Sequence, residues 1–82
     1  MDIKILEEVY WGYSKLAVVV DSALKKLNSN YSFEIIGNPN LFEDYNVDNP
    51  PALIIDGEVL VEGYVPTLDE MVDIINEIKE EK

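Results

Sequence analysis

The stretch PALIIDGEV, residues 51–59, carries the most specific structural signal in the sequence. Ala52 to Ile55 is a short apolar run, and Glu58 to Glu62 is a second strand-forming segment. Asp56-Gly57 lies between them and supplies the positive φ angles that a tight two-residue turn requires. The stretch therefore predicts a β-hairpin that begins directly after Pro51.

Two strands and two helices are predicted upstream of the hairpin. Asp2 to Leu6 alternates as a strand, and Gly12 to Leu27 forms an amphipathic helix because its apolar side chains recur at three- and four-residue spacing. Tyr31 to Ile36 is rich in aromatic and β-branched residues, which favours a second strand. Asn40 is predicted to cap a short helix. The apolar positions are Ile3 and Ile5 in the first strand, Leu16, Val19, Val20, Ala23, Leu24 and Leu27 in the first helix, and Leu41, Phe42 and Tyr45 in the second helix.

The segment after the hairpin contains a clear helix start. Thr67 and Glu70 have the spacing of a capping box, in which each side chain satisfies a backbone N–H of the other residue. The predicted order is therefore β-α-β-α-β-β-α, in a single domain of residues 1–82. A right-handed crossover makes the first two strands parallel, and the hairpin adds an antiparallel pair. The predicted fold class is α/β, a four-stranded mixed sheet with helices on both faces.

The charge of the chain restricts its partners. Seventeen acidic residues against six lysines give a formal net charge of −11. Such a charge repels nucleic acid and anionic membrane surfaces, so neither is predicted as a partner. A basic protein partner is one interpretation of the acidity. The other is that the acids, which are scattered along the chain, serve solubility.

The composition also limits location and chemistry. The chain has no cysteine and no histidine, so it lacks a thiolate for metal binding and an imidazole for proton transfer. No apolar run approaches the ~20 residues that span a bilayer, and the N-terminus lacks the basic-then-apolar plan of a signal peptide. A cytoplasmic location is expected, and neither a metal nor a cofactor is predicted.

The element order and the motifs around the hairpin resemble the thioredoxin superfamily, in particular the small glutaredoxin-like redoxins of archaea and bacteria. The run from Pro51 to Val59 is similar to the family's cis-proline, third strand and Asp-Gly hairpin. Gly63 to Pro66 is similar to the loop that leads into the family's last helix. The resemblance covers nearly the whole chain. It implies a thioredoxin-like βαβαββα fold and a cis bond before Pro51.

The reactive positions of that family are altered in this sequence. Relatives carry Cys-x-x-Cys at the start of the first helix, where this chain has Tyr10-Trp11-Gly12-Tyr13. Disulfide exchange needs a thiolate, and a tyrosine phenol cannot form the mixed disulfide. The residue before the family's cis-proline pairs its backbone with the substrate, but Pro50 has no N–H to donate. The alternative function is therefore a thiol–disulfide oxidoreductase, which the family's ancestry implies. With tyrosine at both cysteine positions, this sequence would be inactive in that reaction.

Other candidate sites fail on their chemistry. Asp44, Asn46 and Asp48 mimic the opening of an EF-hand calcium loop, but Asn49 and Ile55 replace its glycine and its final glutamate. These acids are predicted to be solvated loop residues.

Three polar residues flank the aromatic turn. Glu7 and Glu8 are predicted to be exposed loop carboxylates rather than a general base and acid, since adjacent loop residues rarely converge on one substrate. Ser14, near a helix start, is predicted to be a cap or a surface residue.

Binding remains as the role of the aromatic turn. Tryptophan and tyrosine are enriched in the hot spots of protein interfaces. One hypothesis is a contact surface for an unknown protein partner or for homodimer formation. The other is that Tyr13 folds inward as filler at a lost active site. By resemblance, the binding residues would be Tyr10, Trp11, Gly12, Tyr13, Pro50, Pro51 and Tyr64.

Overall fold

The structure, a computed structural model, describes residues 1–9, 12 and 14–80. It contains the predicted order of elements, and the hairpin has the predicted bounds. The elements are β1 (Ile3–Leu6), α1 (Lys15–Lys26), β2 (Phe33–Ile36), a 3₁₀ helix (Pro39–Tyr45), β3 (Ala52–Ile55), β4 (Glu58–Glu62) and α2 (Leu68–Glu80).

The four strands form one mixed sheet in the order β2-β1-β3-β4. β1 is parallel to β2 and antiparallel to β3, and β3 is antiparallel to β4. In this register Leu6 lies opposite both Ile36 and Ala52, and Ala52 also lies opposite Glu62. The chain therefore leaves β1, β2 and β4, and enters β3, at the same end of the sheet. We call this the Pro51 end.

Helices lie on both faces of the sheet, with the two α-helices on one face and the shorter 3₁₀ helix on the other. Side chains alternate along β1 and β3, so one face of the sheet packs against α1 and α2 and the other packs against the 3₁₀ helix. The buried residues of the first layer are Ile3, Ile5, Leu16, Ala17, Val20, Ala23, Leu24, Leu53, Ile55, Val61, Met71 and Ile75. Those of the second layer are Leu6, Ile36, Phe42, Val47, Ala52 and Ile54.

A β-bulge interrupts the hairpin in β4. Ile54 lies opposite Val59 and Leu53 lies opposite Val61, so Leu60 is the extra residue. As a result, the consecutive residues Leu60 and Val61 both pack in the layer that holds the two α-helices, while Val59 packs in the other layer. The bulge thus adds an apolar side chain beside α2 at the edge of the sheet.

The starts of four elements differ from the prediction, and β1 begins at Ile3, one residue later than predicted. α1 begins at Lys15 rather than near Gly12, because Gly12 has a left-handed φ of 72° that a helix does not admit. Asn38, not Asn40, caps the short helix, since its side chain accepts the Asn40 N–H at 3.0 Å. β2 begins at Phe33, which leaves Tyr31 outside the strand and 40% exposed.

The capping box of α2 is confirmed. The Thr67 hydroxyl accepts the Glu70 N–H at 3.2 Å, and the Glu70 carboxylate accepts the Thr67 N–H at 3.0 Å. The pKa of the Glu70 carboxyl is lowered, chiefly by its hydrogen bond from the Thr67 backbone N–H and further by the Thr67 side chain. Of the helices in the described part of the chain, none is long and apolar enough to cross a membrane.

Candidate functional site

The predicted site is centred on the segment between β1 and α1. Tyr10, Trp11 and Tyr13 lie outside the described residues. Gly12 is exposed, and its φ of 72° belongs to the left-handed region, where a side chain is strained. The backbone conformation at this position therefore explains why the residue is a glycine, independently of any role in the aromatic turn.

The prolines and Tyr64 lie at the Pro51 end of the sheet. The Pro50–Pro51 peptide bond is cis, with Pro50 exposed and Pro51 half-buried. The Pro51 carbonyl accepts the Gly63 N–H at 2.9 Å, which extends the pairing of β3 and β4 by one step. Tyr64 follows directly and is 54% exposed. The structure thus brings Pro51 and the Gly63–Tyr64 loop together.

A carboxylate holds the loop that leads into the two prolines. Oε2 of Glu62 accepts the backbone N–H groups of Asp48 at 2.8 Å and of Asn49 at 2.9 Å. Hydrogen bonds to a charged acceptor are stronger than those between neutral groups. The end of β4 therefore fixes the backbone two residues before Pro51, and Glu62 acts as a positioning residue for the prolines.

Glu7 and Ser14 close the N-terminus of α1. Oε1 of Glu7 accepts a hydrogen bond from the Ser14 hydroxyl and another from the Leu16 N–H at 3.2 Å. The Ser14 hydroxyl oxygen in turn accepts the Ala17 N–H at 3.1 Å, so Ser14 is the N-cap. A negative charge at this position interacts favourably with the helix dipole. Two of the N–H groups at this end of α1 are therefore satisfied from within the protein.

This arrangement corrects the expectation for Glu7. Its side chain is half-buried rather than exposed, whereas Glu8 is exposed as expected. Ser14 is the cap that the sequence suggested, and it is buried. No local pattern in the sequence signals the contact between Glu7 and Ser14, because seven residues separate them.

Thiol chemistry is not available at the Pro51 end. The chain contains no cysteine to form a disulfide with a substrate. Within residues 1–9, 12 and 14–80, no three histidine, cysteine, aspartate or glutamate side chains are grouped so that they would hold a metal ion. Among the described residues, this end of the sheet presents the prolines and the exposed ring of Tyr64.

A mixed sheet in the order β2-β1-β3-β4 with a cis-proline before β3 defines a thioredoxin-like domain. The sequence agrees, since residues 1–76 match the family described as thioredoxin domain, and the chain belongs to that family. Among curated proteins, none matches the sequence significantly.

Proposed function

We propose that this chain is a redox-inert thioredoxin-like module that binds a protein partner at the Pro51 end of the sheet. The contact surface comprises the aromatic turn, residues 10–13, together with Pro50, Pro51 and Tyr64. Its partner is a second protein or a second copy of this chain.

The exposure of Tyr64 carries this proposal. Of the large apolar side chains in the described ranges, it is the most exposed, at 54%, and it follows the Gly63 N–H that the Pro51 carbonyl holds. A tyrosine ring presented to solvent beside two prolines combines apolar area with a hydroxyl group. This is the composition of side chains that contribute most to protein interfaces.

The closed N-terminus of α1 supports redox inertness. A reactive cysteine at a helix N-terminus is activated because the N–H groups and the helix dipole stabilise its thiolate. Here the Leu16 and Ala17 N–H groups already bind Glu7 and Ser14. The favourable position for an anion is therefore occupied by a carboxylate of the protein itself.

The test is affinity capture from a lysate of the source organism, combined with sedimentation velocity of the purified protein. Trp11→Ala and Tyr64→Ala should each reduce the captured partner or the self-association at least fivefold, the effect of removing an interface hot spot, which costs more than about 1 kcal/mol. Repeating the capture at high salt separates apolar binding from charge-driven binding.

Tyr31→Ala provides the matched control. Tyr31 is also an exposed tyrosine, but it precedes β2 and so lies at the opposite end of the sheet. It should leave both measurements unchanged. The proposal is wrong if the protein sediments as a monomer and the captured proteins are the same for wild type, Trp11→Ala and Tyr64→Ala.

A further inference from the structure

A second surface lies where the edge strand β4 meets α2. Glu58 and Leu60 from the strand and Ile74, Glu77 and Ile78 from the helix line an open groove of about 270 Å³. The three apolar residues are half-buried and form its floor, while the two glutamates are exposed at its rim. The volume lies just below that of typical small-molecule sites, so the groove accommodates a side chain or a short segment.

The bulge in β4 creates the floor of this groove. Because Leu60 is the extra residue, its side chain packs on the α2 side of the sheet with that of Val61. Ile74 and Ile78 are one helical turn apart and extend the same apolar strip along α2. The shape of the groove therefore depends on the backbone geometry of β4 and α2 rather than on the conformation of a single side chain.

Among the residues that the structure describes, no lysine forms an ion pair with the glutamates at the rim. The ion pairs among the described residues join Lys4 to Asp2, Lys25 to Asp21 and Lys26 to Asp69, and Glu58 and Glu77 take part in none of them.

Lys79, the lysine of α2, lies on another side of the helix from Glu77. Lys79 is two residues beyond Glu77, and at 100° per residue it lies about 200° around the helix from it. The groove therefore combines an apolar floor with negative charge at its rim that no ion pair within residues 1–9, 12 and 14–80 neutralises.

We propose that the groove between β4 and α2 binds a lysine or arginine side chain of a basic protein segment. The aliphatic stem of that side chain lies on Leu60, Ile74 and Ile78, and its cationic head reaches the carboxylates of Glu58 and Glu77. Long basic side chains bury their stems on apolar surface while their charged ends stay near water, which matches the composition of this groove.

Two other occupants fit less well. A second copy of this chain would bring another net charge of −11 against the acidic rim. A β-strand added to β4 would meet the bulge at Leu60, and bulges disrupt the edge pairing that strand addition needs. A basic segment that binds through its side chains has neither difficulty.

The test is an NMR titration of the ¹⁵N-labelled protein with the five-residue peptide acetyl-ARLRA-amide. The same peptide with citrulline in place of both arginines is the matched ligand control, because citrulline keeps the stem and removes the charge. Shift changes should concentrate at residues 58–60 and 74–78 with the arginine peptide and should be nearly absent with the citrulline peptide.

Variants of the protein distinguish the effect of the two glutamates at the groove on peptide binding from the effect of the overall negative charge. The double variant Glu58→Gln/Glu77→Gln should bind the arginine peptide about tenfold more weakly than wild type. This is the loss of affinity expected when two ion pairs at the surface are removed. Glu34→Gln/Glu43→Gln removes the same net charge from exposed positions on β2 and the 3₁₀ helix and should change affinity less than twofold.

Three outcomes would overturn the proposal. They are no binding of the arginine peptide, shift changes spread over the whole acidic surface, and an equal loss of affinity in the two double variants. All four glutamates are exposed, so these substitutions are compatible with folding.

Discussion

The Glu7 carboxylate accepts a hydrogen bond from the Ser14 hydroxyl at the N-terminus of α1. This contact joins the two flanks of the segment that carries the aromatic turn. It also gives the helix a buried cap and a negative charge at its positive end. The start of α1 is therefore set by a tertiary interaction as well as by a local cap.

Removing the cap should destabilise the protein. We expect Ser14→Ala to lower the free energy of unfolding by about 1–2 kcal/mol, because the Ala17 N–H loses its acceptor and Glu7 loses its donor. Urea denaturation measures this change. Ser22→Ala in the interior of α1 is the control and should be neutral or slightly stabilising, since alanine is the better helix former. Equal effects of both substitutions would contradict the capping role.

Removing the charge of Glu7 should have a smaller effect than removing the cap. Glu7→Gln keeps a carbonyl oxygen for the Ser14 and Leu16 donors but loses the interaction with the helix dipole, a loss of about 0.5–1 kcal/mol. In a double-mutant cycle with Glu7→Ala, which removes the acceptor, Glu7→Ala and Ser14→Ala should couple by at least about 0.5 kcal/mol. Glu8→Gln, at the exposed neighbouring position, should leave stability unchanged. Additive effects of Glu7 and Ser14 would show that their contact is unimportant.

The clamp by Glu62 should be visible in hydrogen exchange. In Glu62→Ala, the Asp48 and Asn49 amides lose their common acceptor, so we expect faster exchange at these two positions. The unfolding free energy should fall by about 0.5–1.5 kcal/mol, because water can replace the lost acceptor at these exposed amides. Glu58→Ala on the same strand is the control and should leave exchange of both amides unchanged. Unaltered protection in Glu62→Ala would mean that the clamp does not order the loop before the prolines.

The capping box of α2 should give an acid-dependent contribution to stability. The pKa of Glu70 is lowered from its ordinary value of 4.5, chiefly by the Thr67 backbone N–H. The ionised form is favoured by folding, so this contribution is complete above pH 4.5 and is lost as the pH falls through the lower folded-state pKa.

Thermal unfolding of wild type and Glu70→Gln across the acidic pH range tests whether this contribution to stability is lost as the pH falls. Wild type should have the higher Tm above pH 4.5, and the difference should shrink toward zero as the pH falls below the folded-state pKa. Glu77→Gln, beyond the first turn of α2, should not lower the Tm at neutral pH. A difference between wild type and Glu70→Gln that stays constant with pH would contradict the assignment.

Redox inertness predicts no catalysis of disulfide reduction. In an insulin reduction assay with dithiothreitol, wild type should match the rate of the reductant alone, because the chain supplies no thiol. Tyr10→Cys/Tyr13→Cys restores the family's two cysteine positions, and we expect it to exceed that rate. Turnover by wild type above the reductant control would refute the proposed inertness and favour the oxidoreductase alternative.

Local chemistry made the hairpin and the last helix predictable. Asp56 and Gly57 adopt φ angles of 51° and 86°, which the Asp-Gly pair favours on its own. Thr67 and Glu70 likewise recognise each other within one helical turn. Where residues close in sequence determine the structure, the sequence and the structure agree.

Interactions across the fold escaped prediction. The contacts of Glu62 with Asp48 and Asn49 join segments that no sequence pattern relates. Similarly, Asn38 and Asn40 are equally suitable caps by residue type, and only the position of Pro39 at the first turn selects Asn38. The proposed site is least predictable because its residues come from three separate segments of the chain, residues 10–13, 50–51 and 64.

The bulge in β4 also means that the two edge strands of the sheet differ in their tendency to pair with a strand from another molecule. β4 is a poor template for a further strand, whereas β2 pairs regularly with β1 and carries Ile35, which is 42% exposed, at the opposite border. Aggregation of crowded or partly destabilised molecules would therefore start at β2. A lysine in place of Ile35 is the single change that would best protect this border.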